Sequence, residues 1–201
     1  MNHNHHNPRF KRLVSAAEML FWKFGIKRIT IDELCLEANI SKMTFYKFFK
    51  NKIELAKYFL ENKINESVKK YRQIMDADMP FTEKIAMSVK LKMEQTENLS
   101  QEFLTDLYRN PNPEVLQFFE TKKNEFLNQI LKDFIKAQKS GQLRKNLKPE
   151  FILYFLNHMF EMAKDETLYK HYDNAQELIM ELTNFFFYGI MTEQNDRKQS
   201  T

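Results

Sequence analysis

Residues 41–47 concentrate side chains that can bind the phosphates and base edges of a nucleic acid. A lysine ammonium can contact a phosphate or a guanine edge, and a tyrosine hydroxyl can donate a hydrogen bond to a phosphate. A methionine or threonine methyl group can pack against the methyl group of thymine. On a helical wheel Met43, Tyr46 and Lys47 share one side, whereas three phenylalanines point the other way. Such a face has little use in a protein core and favours contact with DNA.

Three helix starts crowded into residues 30–55 would hold this face in place. Thr30 and Asn51 each precede a glutamate by three positions, which is the spacing of a capping box. Ser41 is a favourable N-cap residue without an acidic partner. Asn39 lies where the chain must leave the first short helix through a left-handed conformation, which asparagine adopts best among non-glycine residues. Two short helices joined in this way form a helix-turn-helix unit, whose second helix enters the major groove of DNA.

Residues 10–55 resemble the N-terminal domain of TetR/AcrR-type transcriptional regulators. The residues that carry the resemblance are Ala16, Ala17, Leu20, Phe21, Gly25, Thr30, Ile31, Ala38, Ser41, Lys42, Thr44, Phe45, Tyr46, Phe48, Phe49 and Lys52. The sequence departs from the family pattern at Asn39 and Met43, where small residues are usual, and at Cys35, where alanine is usual. These departures leave the helix-turn-helix geometry intact, and Met43 bears on which DNA sequence is read.

The predicted DNA contacts come from the second short helix and from the segments beside it. The full set is Lys27, Arg28, Thr30, Ser41, Lys42, Met43, Thr44, Tyr46, Lys47 and Lys52. The lysines, methionine and threonine of the short helix would approach base edges or adjacent phosphates, whereas Thr30, Tyr46 and Lys52 would hold the DNA backbone. Lys52 would be helped by the positive N-terminus of the helix that it begins. Lys27 and Arg28 would add outer phosphate contacts.

The distribution of charge supports DNA binding by the first part of the chain. The whole chain has a net charge of +4. Residues 1–60 hold 11 lysines and arginines against 5 acidic residues, whereas residues 61–201 hold 20 against 22. Basic charge is therefore concentrated around the helix-turn-helix, as expected for a phosphate-binding surface. A solvated basic face is the alternative, and the helix-turn-helix pattern favours DNA.

Composition predicts an all-α fold of about nine helices. Three glycines and five prolines in 201 residues are few, and no alternating strand pattern extends beyond a few residues. We predict a disordered tail over residues 1–8, a three-helix DNA-binding domain over residues 9–55, a ligand-sensing and dimerisation domain over residues 56–192, and a polar tail over residues 193–201. A helix from about residue 51 to residue 75 would link the two domains.

Several other classes of protein are disfavoured. No signal peptide and no apolar run of the roughly 18 residues of a membrane span is evident, so we expect a cytoplasmic protein. No nucleophile elbow, phosphate-binding glycine loop, His-Glu-x-x-His motif or cysteine pair predicts an enzyme or a cofactor site. Cys35 lies on an apolar helix stripe, which favours a buried structural thiol over a redox sensor. The His3, His5 and His6 cluster suits a metal ion less well than a disordered tail.

Two apolar segments near the C-terminus predict a homodimer. Residues 151–156 and residues 185–188 are apolar on almost every side of a helix. A helix of that kind must be covered on every side, and terminal elements of a modest domain can hardly all be buried within one subunit. Pairing through a four-helix interface would cover them, although a deeply buried central helix is the alternative. The family resemblance also implies a two-fold dimer built on the last two long helices.

The resemblance implies a small-molecule sensor in the C-terminal domain, and the sequence offers aromatic and methionine side chains for it. The candidate ligand-binding residues are Phe103, Leu107, Phe118, Phe126, Phe155, His158, Met159 and Met162. Such residues can line an adaptable apolar pocket for a mostly hydrophobic ligand, although each is more often simply core. His158 would orient the ligand, or would be a satisfied histidine in the core or interface.

The sequence therefore predicts a homodimeric repressor that a hydrophobic ligand releases from a palindromic operator in double-stranded DNA. The alternative is a ligand-independent DNA-binding dimer whose C-terminal domain only dimerises.

Overall fold

The computed structural model describes residues 6–109, 111–163 and 165–190, and this part of the chain is helical without a β-strand. The helices are α1 (Pro8–Phe24), α2 (Ile31–Glu37), α3 (Lys42–Phe48), α4 (Lys52–Asp76), α5 (Phe81–Gln95), α6 (Gln101–Leu104), α7 (Pro113–Lys139), α8 (Pro149–Met162), α9 (Glu166–Tyr169) and α10 (Ala175–Ile190). A π-helical turn, Thr105–Arg109, continues α6. The predicted all-α class is confirmed. Within the described ranges no helix is long and apolar enough to cross a membrane.

The described segments hold one helix more than the nine predicted, and the addition is α9. Helix α8 ends at Met162. Asp165 then accepts hydrogen bonds from the backbone N–H groups of Thr167 and Leu168 and caps the short helix α9. The predicted polar tail and the first two histidines of the His3, His5 and His6 cluster lie outside the described residues.

The helix starts of the DNA-binding segment follow the predicted capping pattern, with one difference. Thr30 and Glu33 form a complete capping box, and Ser41 accepts the backbone N–H of Thr44. Asn51 accepts the backbone N–H of Glu54, but the Glu54 carboxylate accepts the N–H of Lys50 rather than that of Asn51. The second capping box is therefore incomplete, because the Glu54 carboxylate accepts the N–H of the residue before the N-cap.

The helices enclose two hydrophobic cores. The upper core joins α1–α4 to four buried residues of the C-terminal part, namely Phe103, Leu107, Val115 and Phe119. The lower core lies among the end of α4, α5, α7, α8 and α10. Both long helices cross from one core to the other: α4 buries Phe59 above and Tyr71 below, and α7 buries Phe119 above and Phe134 below. The predicted DNA-binding segment therefore shares its core with the C-terminal helices α5–α10, which we call the bundle. Helix α4 has buried residues in both cores and links the two parts.

An exposed aromatic face lies on α8 and α10. We define it by Phe151, Tyr154, Phe185 and Tyr188, whose exposed fractions are 54%, 61%, 72% and 79%. The two helices lie side by side, since the Phe155 ring stacks on that of Phe185 at 6.4 Å between centroids. These are the two segments that the sequence marked as apolar all round, and one subunit leaves their outer side in solvent.

Gly25 and Gly141 provide a matched test of how tightly α1 packs on the bundle. Both end helices at positive φ, +80° and +77°, where a side chain is strained. A Cβ at residue 25 would lie 2.5 Å from Asp106 Oδ2, whereas nothing lies within 4 Å of one at residue 141. We expect Gly141→Ala to lower the free energy of unfolding by about 1 kcal/mol through strain. Gly25→Ala should cost about 1–3 kcal/mol more because of the overlap.

Urea unfolding followed by circular dichroism measures both losses. Equal losses for the two variants would show that α1 does not approach the π turn closely.

Candidate nucleic-acid interface

The turn between α2 and α3 is built as the sequence predicted. Asn39 has a φ of +49°, in the left-handed region. The Ile40 N–H donates to the Cys35 carbonyl at 2.9 Å and closes the C-terminal end of α2. The Arg12 guanidinium, from α1, donates to the carbonyl oxygens of Ala38 (3.0 Å) and Asn39 (3.3 Å). These carbonyls have no partner within α2, so the arginine supplies a charged cap that fixes the angle between the two short helices.

Arg12 was missed by the sequence reasoning. The available signal was an arginine on the polar side of α1, combined with helix-end carbonyls that require donors. The distance of 26 residues along the chain between Arg12 and Ala38 hid the contact.

Helix α3 is amphipathic, and aromatic packing orients it. Phe45 and Phe49 are buried, and Phe48 is half-buried. The ring of Phe10 lies 5.3 Å from that of Phe48 and 5.7 Å from that of Phe49, so the start of α1 anchors the end of α3. Because this side is fixed in the upper core, the opposite side must face solvent.

The exposed side of α3 carries the predicted reading residues. Met43 is 73% exposed and Tyr46 is 55% exposed, and Lys47 is exposed beside them. Folding alone does not favour the exposure of such large apolar and aromatic side chains on a helix. The Ser41 and Thr44 hydroxyls lie 3.0 Å apart at the N-terminus of the helix. The face therefore offers hydroxyls, an ammonium, a phenol and a thioether over two helical turns.

Lys42 forms an ion pair with Asp32 of α2 at 2.8 Å. Hydrogen bonding to Asp32 raises the pKa of Lys42, so the ammonium stays charged. Both side chains are more than half exposed, and an exposed pair of this kind is weak. A phosphate can therefore take the place of Asp32 at little cost.

Lys52 and Thr30 both make internal contacts. The Lys52 ammonium donates to the carbonyls of Lys27 (2.8 Å) and Ile29 (2.6 Å), and partial burial lowers its pKa. The Glu33 carboxylate accepts hydrogen bonds from the Thr30 backbone N–H (2.7 Å) and the Thr30 hydroxyl (2.8 Å), and these bonds hold the pKa of Glu33 below its ordinary value. Both residues thus shape the interface from within, and their contacts with DNA stay a prediction.

Further basic residues widen the surface beyond the predicted set. Lys27 and Arg28 are exposed on the loop after α1, and the Arg28 guanidinium lies over the Phe24 ring at 4.8 Å. Arg9 and Lys11 are also exposed in the first turns of α1, on either side of the Phe10 anchor that packs against α3. The net positive charge of residues 1–60 signalled this surface, but only packing brings the start of α1 beside α3.

The predicted ligand-binding residues do not come together. Phe103, Leu107 and Phe118 belong to the upper core, whereas Phe126, Phe155 and Met159 belong to the lower core. Both groups lie on continuous helical stripes, but eight residues of helix separate Phe118 from Phe126 by about 12 Å. Phe103 and Leu107 are buried and the other four are partly buried, and a helical stripe alone does not place such residues in one cavity.

His158 and Met162 lie apart from both groups. The structure places His158 on the exposed side of α8, where its ring stacks on Tyr154 at 4.0 Å between centroids. It therefore extends the exposed aromatic face, and its role in orienting a ligand stays a prediction. Met162 is half-buried in the last turn of α8. Near it, Tyr108, Arg109, Glu161, Asp165 and Glu166 line a shallow surface depression that is charged rather than apolar.

The first part of the chain matches a known family of regulators in sequence, and the fold matches solved structures of regulators. Residues 13–59 match the family model for bacterial regulatory proteins of the tetR family. A relative from Bacillus subtilis strain 168, the uncharacterized HTH-type transcriptional regulator YhgD, is 29% identical over 134 residues, which cover 64% of this chain and 70% of the relative.

Two solved structures share the fold. The fatty acid degradation regulator FadR from Bacillus halodurans superposes with a TM-score of 0.71 at 16% identity, over 91% of this chain and 96% of that one. The transcriptional regulator FadR from Bacillus subtilis, in complex with stearoyl-CoA, superposes with a TM-score of 0.70 at 15% identity, over 90% and 99%. Identities this low establish the fold alone.

Proposed function

This chain is a TetR-family helix-turn-helix transcriptional regulator, and we propose that it represses transcription by binding a palindromic operator as a homodimer. Membership of that family makes it a DNA-binding regulator rather than an enzyme. The proposal depends above all on the exposed face of α3, where Met43, Tyr46 and Lys47 lie opposite a buried phenylalanine anchor. A repressor of this kind occupies promoter DNA and excludes the transcription machinery from it.

We assign DNA contacts according to position on the DNA-binding head, by which we mean residues 9–55. Lys42, Met43, Thr44 and Lys47 face the major groove from α3 and contact base edges or the nearest phosphates. The Tyr46 hydroxyl donates a hydrogen bond to a phosphate. The remaining contacts are to the DNA backbone and come from Ser41 at the N-terminus of α3 and from Lys27, Arg28, Thr30 and Lys52 around the α1–α2 loop.

Dimerisation through the exposed aromatic face completes the DNA reader. A single short reading helix gives limited specificity, and two-fold pairing doubles the number of base contacts and defines a palindromic site. Four large aromatic side chains on two adjacent helices form the kind of exposed patch that marks an interface. His158 lies at the border of this patch, stacked on Tyr154.

A mostly hydrophobic effector is the finer part of the proposal. The lower core is rich in phenylalanine and includes Met75 and Met159, and α4 connects it directly to the head. A ligand that inserts among Phe126, Phe155 and Met159 would displace α4 and change the separation of the two heads. Support also comes from the shared fold with a regulator in complex with stearoyl-CoA.

The second candidate is a ligand-independent DNA-binding dimer. It is favoured by the division of the predicted pocket residues between two packed cores, which gives the bundle the character of a solid dimerisation domain.

Binding to the DNA upstream of its own coding sequence tests the central proposal. We expect fluorescence anisotropy to show clear preference for that fragment over scrambled DNA. Lys47→Ala should weaken binding and reduce the slope of log affinity against log salt by about two, one phosphate for each head. Lys145→Ala, a change of an exposed lysine beyond α7, is the matched control and should leave both quantities unchanged. Equal affinity for both DNAs across the salt series would contradict sequence-specific reading.

The oligomeric state tests the aromatic face. Phe185→Arg would place two unpaired guanidinium groups in the interface, and burying each would cost roughly several kcal/mol of dimer stability. The variant should therefore be a monomer at micromolar concentration. Met87→Arg replaces another exposed apolar residue, on α5, and should remain dimeric. Sedimentation velocity distinguishes the two species. A wild-type monomer, or a dimeric Phe185→Arg variant, would contradict the proposed interface.

Thermal unfolding separates the sensor from the ligand-independent candidate. Stearoyl-CoA at a hundredfold excess over its Kd would stabilise a binding protein by about 2.7 kcal/mol, raising Tm by roughly 5–10 °C. Coenzyme A alone should leave Tm unchanged, and stearoyl-CoA should weaken operator binding. If neither long-chain acyl-CoA nor free fatty acids change Tm or operator affinity, the ligand-independent candidate is favoured.

A further inference from the structure

A direct polar contact joins the DNA-binding head to the π turn of the bundle. Oδ2 of Asp106 accepts the backbone N–H of Lys27 at 2.7 Å, across 79 residues of sequence. Lys27 lies on the loop between α1 and α2, within the head, whereas Asp106 lies on the π-helical turn Thr105–Arg109. A carboxylate that accepts a backbone N–H makes a strong and directional hydrogen bond.

The surrounding contacts bring the two surfaces close together. Gly25 approaches the turn so closely that only a hydrogen fits, since a Cβ there would lie 2.5 Å from Asp106 Oδ2. The Trp22 indole N–H donates to the Glu97 carbonyl at 3.0 Å, and the Trp22 carbonyl accepts the Ser100 N–H at 3.2 Å. The end of α1 is therefore docked along residues 97–106 by hydrogen bonds as well as by apolar contact.

Asp106 holds a loop that polar contacts connect to α2 and, through α2, to the reading helix α3. The same residue whose N–H binds Asp106, Lys27, offers its carbonyl to the Lys52 ammonium at the start of α4. Lys52 also binds the Ile29 carbonyl, two residues before α2 begins at Ile31. The loop, the start of α4 and the start of α2 are thus connected by polar contacts, and α2 carries α3 through the capped turn.

The Asp106 hydrogen bond is directional, whereas the apolar contacts between head and bundle are not. The rings of Trp22 and Phe103 lie 5.1 Å apart between centroids and those of Phe59 and Phe103 5.9 Å, and this packing resists separation of head and bundle. Packing of this kind tolerates small rotations, because dispersion and hydrophobic contact are non-directional. The short Asp106 hydrogen bond constrains the rotation together with the two hydrogen bonds of Trp22, and of these three it is the one made by a side chain of the bundle.

We propose that Asp106 is a positioning residue that fixes the orientation of the head on the bundle and thereby sets the half-site spacing that the dimer accepts. The inference rests on the proposed function, since two heads are needed to measure a spacing. Adding one base pair between half-sites moves them apart by about 3.4 Å and rotates one relative to the other by roughly 34°, given 10–10.5 base pairs per turn. A dimer with rigidly oriented heads rejects such a change, and one with loosened heads tolerates it.

The test compares operator affinity across a spacer series for four proteins. Inverted-repeat duplexes with the optimal spacer and with one or two base pairs added or removed are titrated by anisotropy. Wild-type protein should lose at least about tenfold in affinity per base pair of change, the equivalent of about 1.4 kcal/mol. Asp106→Ala should lose about threefold or less, with weaker binding to the optimal operator. Asp106→Asn should behave as wild type, because its amide oxygen still accepts the Lys27 N–H.

Glu102→Ala is the control for loss of a carboxylate on the same helix. Its side chain is exposed, and the variant should keep the wild-type spacing profile. Superimposable profiles for Asp106→Ala and wild type would overturn the inference, as would equal broadening by Glu102→Ala. A merely structural role for Asp106 would lower affinity for every spacer by the same factor, and that outcome would also overturn it.

Hydrogen exchange in the free protein makes failure of the inference distinguishable from failure of the proposed function. The Lys27 amide should exchange faster in Asp106→Ala than in wild type and Asp106→Asn, whether or not DNA is bound. Unchanged exchange would overturn the contact itself. If the Lys27 amide exchanges faster but the wild-type protein prefers no inverted repeat, the proposed binding to a palindromic operator is rejected. The role of Asp106 in half-site spacing is then rejected with it.

Discussion

The aromatic anchor of α3 is the constraint on which the rest of this structure depends. A helix of seven residues has little stability of its own, so α3 exists only because the upper core holds one side of it. Phe45 and Phe49 are buried, and Phe10 of α1 packs against the end of the helix. With that side fixed, the other side presents its polar and large apolar groups to solvent in a defined orientation. The proposed recognition of DNA depends on this division of one short helix.

The same upper core makes the head and the bundle interdependent. Phe103 and Leu107 of the C-terminal part are buried among residues of α1 and α4, so a large change in the tilt of the head requires repacking there. The two long helices extend from this core to the lower one, and the exposed aromatic face on α8 and α10 is fixed to the far end. Contacts at the exposed aromatic face, the lower core and the head are therefore joined through rigid elements, as the proposed control of half-site separation requires.

Sequence patterns predicted those features that local chemistry determines. The cap at Ser41, the left-handed Asn39 and the two-sided character of α3 each depend on residues within one or two turns of helix. Contacts between distant residues were beyond such reasoning: Arg12 on the α2 carbonyls, Lys52 on the α1–α2 loop, and Asp106 on Lys27. The division of the candidate ligand-binding residues was also beyond it, because a helical stripe shows that one side of α7 is apolar but not that Phe118 and Phe126 face different cores.

Selection of DNA fragments from a randomised library by the purified full-length protein, followed by sequencing, tests the central claim most directly. A homodimer that reads DNA with α3 predicts enrichment of an inverted repeat, with half-site centres about one helical turn apart or a multiple of it. Recovery of a single half-site, a direct repeat or no enriched sequence at all would contradict a two-fold reader built on this fold.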